Sequence, residues 1–309
     1  MTRDEKYIAR IIIKNKFYEA DKQSYENIFT KIKQHENSGF KQIKPQGRLG
    51  DGKCDGFNPD DGTYYQVYAP EELTGNERTL LTKMDISITG LIDFWNKNGF
   101  DVKKFCYVVK DDYRNVYALI YTNAEAIAKK FKIECEVLTC KDIEDIFMKL
   151  EEDKIIDIIG MIPDPLNVDS VDYSVMNEVI KHITKSEMKS SGYSIPFDPN
   201  FDNKIVFNKL SRAVSDFLNA GYRQNFVIKD YFELNSKFVK DELRQVFNSF
   251  YNEGLETIPD SETKNDELFQ FIVEKSSPNN TLCVSNAVYI LMSYYFETCD
   301  IFETPTVLK

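Results

Sequence analysis

The sequence predicts an α/β protein, with a mixed sheet flanked by helices in its N-terminal half and an all-helical C-terminal domain. Three observations predict it. First, short apolar runs of strand type alternate with longer stretches whose apolar residues recur at helical spacing, up to Leu150. Second, Gly47–Pro70, GRLGDGKCDGFNPDDGTYYQVYAP, reads as a glycine-punctuated β-hairpin. Third, Ile162-Pro163-Asp164-Pro165 and the Asn167-Val168-Asp169-Ser170 that follows interrupt any helix, and only helical periodicity lies beyond them. A chain of 309 residues exceeds the usual single-domain size, so the break divides it into residues 1–163 and 164–309.

The elements follow in order. Lys6 to Tyr18 holds a β-branched run that suits either a strand or a helix end. From Asp21, a capping residue, Tyr25, Ile28, Phe29 and Ile32 recur at helical spacing until Gly39. Phe40 to Lys44 alternates as a short strand before the hairpin, whose turn is Asn58-Pro59-Asp60-Asp61-Gly62 and whose second strand is Thr63 to Tyr68. Glu77 to Asn98 carries a long helical stripe. Phe105 to Val109 and Glu134 to Leu138 read as strands, and Ala124 to Phe131 and Asp142 to Leu150 as helices. In the second half Met176 to Ile183, Ile205 to Leu218, Lys237 to Asn252, Asp266 to Glu274 and Asn286 to Phe296 read as helices. Lys185 to Asn203 reads as loop and Asn225 to Phe232 as a connector. The aromatic C-terminal stretch from Tyr289 reads as a core helix of the second domain.

Composition narrows the function classes. With 42% apolar and 29% charged residues the chain is a folded globular protein, and no apolar run is long enough to span a bilayer. No secretory signal pattern is seen at the start, which gives a cytoplasmic expectation. The six cysteines form no CxxC pair and have no nearby histidine, so they read as reduced thiols, with Cys54 a packing residue. Two histidines, His35 and His182, leave little material for imidazole catalysis, and there is no phosphate-binding glycine loop. The net charge of −11 is uneven. Residues 1–55 carry twelve Lys/Arg against eight Asp/Glu, whereas residues 166–309 carry fourteen against twenty-one. A basic start beside the hairpin permits local attraction of phosphate, although solvated charged faces account for the same counts.

The hairpin gathers the chemistry. Alternation on its first strand projects Asp51, Lys53 and Asp55 together, and on its second Tyr64, Gln66 and Tyr68. Two carboxylates and an ammonium suit a divalent metal held by hard oxygens next to a phosphate; the same residues also suit a charge cluster that only stabilises a turn. Glu26, beside the apolar stripe of its helix, points either to solvent or toward the hairpin.

Helix, strand, then a hairpin carrying GDGKCDGF and YYQVYAP resembles the restriction-endonuclease-like PD-(D/E)XK nuclease core, in the form where glutamine replaces the second acid. The resemblance implies that Asp55 binds Mg2+ or Mn2+ and that Gln66, with the Val67 carbonyl, assists. Asp51 or Glu26 then supplies a second ligand or positions water. The family's lysine position holds Tyr68, so either Lys53 supplies the missing charge or the core is catalytically weak. The whole chain, from GDGKCDGF and QVYAP to YYFETCDIFETP, is also similar to the effector of bacterial ABC-three-component anti-phage systems. That likeness implies DNA as substrate, a chromosome-maintenance-type ABC ATPase and a small middle component as partners, and a helical domain that regulates. The alternative is a non-catalytic DNA-binding or assembly subunit with a degenerate nuclease fold. A homo-oligomer is expected, since cutting both strands takes two sites.

Overall fold

The computed structural model describes residues 1–44, 52–70, 77–162, 173–185, 201–234, 237–298 and 300–305. Two compact units divide the chain, Lys16–Ile158 and the combination of Met1–Asn15 with Ile159–Lys309. The boundary expected at residues 163 and 164 lies outside the described residues.

In the sheet unit the elements are α2 (Lys22–Glu36), β1 (Lys41–Gln42), β2 (Gly56–Asn58), β3 (Thr63–Tyr68), α3 (Glu77–Lys97), β4 (Lys104–Val109), α4 (Ala118–Phe131), β5 (Glu134–Leu138) and α5 (Cys140–Phe147), before α6 (Glu152–Ile159). Asp21 caps α2 by accepting the Ser24 N–H at 2.7 Å, which satisfies one of the donors left open at a helix start. The five strands lie in sequence order. β1, β2 and β3 are antiparallel, whereas β3, β4 and β5 are parallel. Each parallel step needs a crossover helix, and both steps advance the same way, so α3 and α4 cover one face. There Met84, Ile88, Leu91 and Trp95 of α3 and Ile120 and Ile127 of α4 form one core with Tyr64, Phe105, Tyr107 and Val137. α2 covers the opposite face, where the Phe29 ring meets Phe40 and Tyr65, and Tyr25 Oη lies 3.4 Å from Cys140 Sγ of α5. Strand β4 is covered on both faces, so Phe105 to Val109 is a continuous apolar run, every residue of it buried.

The helical unit contains α7 (Tyr173–Ile183), α8 (Phe201–Phe207), α9 (Arg212–Arg223), α10 (Asn225–Leu234), α11 (Lys237–Thr257), α12 (Lys264–Ser276) and α13 (Leu282–Glu297). Its axis is α13, buried without interruption from Asn286 to Phe296. α9 lies directly on it: a Cβ at Gly221 would stand 2.3 Å from Tyr289 O, and Ser293 Oγ donates to Leu218 O at 2.8 Å. The buried Lys204 ammonium donates to Phe296 O at 2.8 Å and Ile301 O at 2.7 Å, a cation at the negative end of α13.

The undecided opening segment is helix α1 (Arg3–Glu19), and its residues through Asn15 belong with the helical unit. Tyr7 Oη donates to Asp266 Oδ2, Lys14 Nζ meets Glu267 Oε1 at 3.1 Å, and Asn15 Nδ2 donates to Glu267 O at 2.9 Å. This docking was not legible locally, because it pairs residues more than 250 positions apart.

Four local expectations are corrected. The helix expected over Ile205 to Leu218 is two, interrupted at Asn208–Ser211, because Lys209 takes a left-handed backbone at φ 50° and Ser211 caps α9 through Val214 N. The expected connector at Asn225 to Phe232 is helix α10. Phe201 to Asn203, expected as loop, opens α8, and α4 begins six residues before Ala124. The sequence reading also passed over α6. None of the helices among the described residues is long and apolar enough to cross a membrane.

Candidate functional site

The first strand of the hairpin is shorter than its sequence suggests, and this changes how the charges are placed. Gly52 and Lys53 form a turn with left-handed backbones at φ 65° and 59°, and regular strand begins only at Gly56. The expected alternation that projects Lys53 with Asp55 is therefore absent. Asp51 lies outside the described residues.

Asp55 stands at the entry to β2 with its main chain held on both sides. Its N–H donates to Tyr65 O at 2.9 Å, and its carbonyl accepts from Ile43 N at 3.0 Å. Gly56 makes the tight entry possible, since a Cβ there would lie 2.3 Å from the Phe40 ring. The Asp55 side chain is 7% exposed, and one oxygen, Oδ2, accepts twice: from Val67 N at 2.6 Å and from Gln66 Nε2 at 2.6 Å. A buried carboxylate needs such donors to remain charged. Asp55, Gln66 and Val67 are thus brought together.

Tyr68 follows Gln66 on the same face of β3, the face toward α3. Its ring stacks on Tyr107 at 6.0 Å and 15°. Across from it on α3, Lys83 Nζ lies 3.5 Å from Tyr68 Oη and 4.8 Å from its ring centroid. Lys53 meets the same helix further along. Its aliphatic stem rests over Gly90 of α3, where a Cβ would be 3.1 Å from Lys53 Cγ. Glu26 is half-buried on α2, the helix on the Tyr65 face. Cys54 is buried in the core on the α3 side, its Sγ donating to Gly56 O at 2.9 Å. Burial pushes the Tyr64 hydroxyl up to about 12 and Tyr107 higher still, so both are neutral phenols beneath the site.

A second charged group sits at the carboxyl end of β4, where parallel sheets commonly place ligands. Lys110 is buried and paired with Asp112 Oδ1 at 2.7 Å. Asp111, 1% exposed, accepts from Cys140 N at 2.9 Å and Asn115 N at 3.1 Å. Sequence reasoning missed this group and Lys83. Lys110-Asp111-Asp112 directly after a buried apolar run was a usable signal; Lys83, an exposed residue on a helix, gave none.

In kind, the residues at Asp55 suit magnesium. A carboxylate, an amide side chain and a backbone carbonyl are hard oxygen donors, and Mg2+ is commonly held by one or two carboxylates while water and substrate phosphate complete its shell. Among the described residues no group of three or more His, Cys, Asp or Glu side chains forms a metal cage.

Residues 174–303 match the family model described as C-terminal domain 10 of the ABC-three component (ABC-3C) systems. No curated protein and no solved structure matches the chain. The matched segment runs from α7 past α13 and coincides with most of the helical unit. The chain thus joins a mixed five-stranded α/β unit to a helical region that matches C-terminal domain 10 of the ABC-three component systems.

Proposed function

We propose that the sheet unit is a metal-dependent nuclease that hydrolyses DNA phosphodiesters as effector of its ABC-3C system. The observation that carries this reading is the Asp55 carboxylate, buried, held by Gln66 and Val67, and set on a helix–strand–strand–strand–helix–strand frame with the α3 face beside it. This is the arrangement that the restriction-endonuclease-like resemblance implies. Asp55, the Gln66 amide and the Val67 carbonyl would hold Mg2+ or Mn2+. Bound there, the metal would act as a Lewis acid and lower the pKa of a coordinated water. The chain itself orients the carboxylate through the Val67 N–H and keeps it on a fixed strand entry. Glu26 and Asp51 are the further acids proposed for water positioning. The helical unit restrains the activity and docks the ATPase of chromosome-maintenance type and the small middle component. A homo-oligomer supplies the second site for a double-strand cut, and a monomeric mass by light scattering at micromolar concentration argues against it.

Plasmid cleavage in Mg2+ or Mn2+, with the chain alone and with its system components, tests the reading. Asp55→Ala must abolish cleavage; a variant that cuts as well as wild type refutes it. A non-catalytic DNA-binding subunit is the second reading, favoured by Tyr68 in the lysine position and by an open cleft of about 570 Å³ where Lys103, Lys129 and Lys132 outnumber Asp101 and Glu134. Salt-sensitive DNA binding without metal-dependent cleavage under any partner condition distinguishes it.

A further inference from the structure

We infer that Lys83, with the Tyr68 hydroxyl, supplies the cationic charge of the phosphodiester site, in place of any lysine on the hairpin. The inference rests on the nuclease reading and assigns a role within it. Hydrolysis of a phosphodiester loads negative charge onto the non-bridging oxygens, and a fixed cation there stabilises the transition state more than the ground state. The resemblance to the nuclease core implies that cation at the β3 position two residues beyond Gln66, about 7 Å along the strand. Tyr68 stands there, with a hydroxyl able to donate one hydrogen bond. The structure brings the missing charge from across the core, because the Lys83 ammonium is 3.5 Å from that hydroxyl and 4.8 Å from the ring centroid.

Two features make the placement specific. Tyr68 is stacked on Tyr107, itself buried, so its ring has little freedom, and the cation–π contact and the hydroxyl together define where the Lys83 head rests. Lys53, the other lysine on this side, rests over Gly90. Gly90 lies seven residues beyond Lys83 on the same face of α3, about 10 Å along the axis. The stems of the two lysines therefore meet separate levels of one helix face, and the Lys83 ammonium is placed at Tyr68. In the reaction, the oxygen of a water adds to phosphorus and one P–O ester bond breaks. Of the water's two protons, one ends on the departing alkoxide and the other in solvent. Lys83 stays protonated throughout, and the Tyr68 hydroxyl donates to a phosphate oxygen without being consumed.

The test compares Lys83→Ala, Lys83→Arg, Lys53→Ala, Asp55→Ala and the double variant Lys83→Ala/Tyr68→Lys, in the full chain with its system components. The expected result is a loss of about 100-fold in kcat for Lys83→Ala, with KM changed less than about threefold, the scale seen when one transition-state donor is removed. Lys83→Arg keeps the charge and most of the rate, and Tyr68→Lys restores activity to the Lys83→Ala background. Two further readouts do not depend on turnover: DNA affinity in Ca2+ and the Mg2+-induced rise in Tm. In Lys83→Ala the Mg2+-induced rise in Tm stays at its wild-type value, because the lysine is not a metal ligand, and DNA affinity falls at most about threefold, in step with KM and with the loss of one phosphate contact. If Lys83→Ala cuts like wild type while Asp55→Ala is dead, the role of Lys83 is overturned and the nuclease reading stands. If Lys53→Ala carries the loss instead, the cation is Lys53. If wild type cuts nothing in either metal, the nuclease reading falls, and this role with it.

Discussion

Gln66→Glu replaces the amide that faces Asp55 with a second carboxylate, the acid that the ordinary form of the resembled motif carries. In wild type, Gln66 Nε2 donates to Asp55 Oδ2 at 2.6 Å. A hydrogen bond to a charged group contributes about 1.5–3 kcal/mol. The substitution removes it and sets two carboxylates about 3 Å apart, a repulsion on the order of 5 kcal/mol at an effective dielectric near 20. Gln66 is only half-buried, so solvent and proton uptake relieve much of that, and a net loss of about 2–4 kcal/mol is expected. For a domain of this size it lowers Tm by roughly 5–15 °C. The pH dependence has a definite sign. Each carboxylate raises the folded-state pKa of the other, so the cost is fully present above that raised value and disappears as pH falls through it. Thermal unfolding of wild type and variant is followed at pH 8 and pH 5, each with EDTA and with Mg2+. The deficit should be largest at pH 8 in EDTA, smaller at pH 5, and smaller again when Mg2+ is added. A variant with wild-type Tm at pH 8 in EDTA and no added response to Mg2+ would refute the placement of Gln66 against Asp55.

Tyr7→Phe removes the hydroxyl that donates to the buried Asp266 carboxylate and should cost about 1.5–3 kcal/mol near neutral pH. Burial already raises the Asp266 pKa, so its ionisation costs stability above that value, and Tyr7 offsets the cost; urea unfolding should show the Tyr7→Phe deficit shrinking as pH falls toward the carboxyl range. Lys204→Ala leaves the Phe296 and Ile301 carbonyls without their donor, and a loss of about 2–5 kcal/mol is expected by the same measurement. Gly56→Ala pushes a methyl to 2.3 Å from the Phe40 ring; about 1–3 kcal/mol of stability should be lost, with reduced Mg2+ affinity by calorimetry because Asp55 is displaced.

Where fold signals were local, the sequence showed the elements directly. Asp21 before an apolar stripe located the start of α2, and the Asn58–Gly62 turn, whose Asn58 and Asp61 side chains accept from Asp60 N and Thr63 N, located β3 to the residue. The misses share a physical cause. The break between α8 and α9 depends on a left-handed Lys209, a residue type that ordinarily favours helix, while Asn208 donates to Glu303 O at 2.8 Å and Asn265 donates to Asn208 O at 2.7 Å. Tertiary partners hold that corner, and helical periodicity runs straight through it. α1 was ambiguous for a similar reason: Ile11-Ile12-Ile13 is β-branched, and the helix is held by Tyr7, Lys14 and Asn15 bonding to α12.

The candidate site divides along the same line. Asp55 and Gln66 were legible because antiparallel pairing of Gly56 with Tyr65 makes them cross-strand neighbours, a relation fixed by the length of the turn. The cation was not. Strand alternation pointed to Lys53, and that argument fails because it needs an extended backbone that Gly52 and Lys53, both at positive φ, do not have. Lys83 is separated from Tyr68 by fifteen residues and by a change from strand to helix, and its nearness depends on the angle at which α3 crosses β3. That angle follows from how Met84, Ile88, Leu91 and Trp95 fill the space over Tyr64 and Phe105. A motif read along one strand can only register that a lysine is missing there. Core packing decides which other element supplies it, so a tyrosine in the lysine position does not by itself make the site inert.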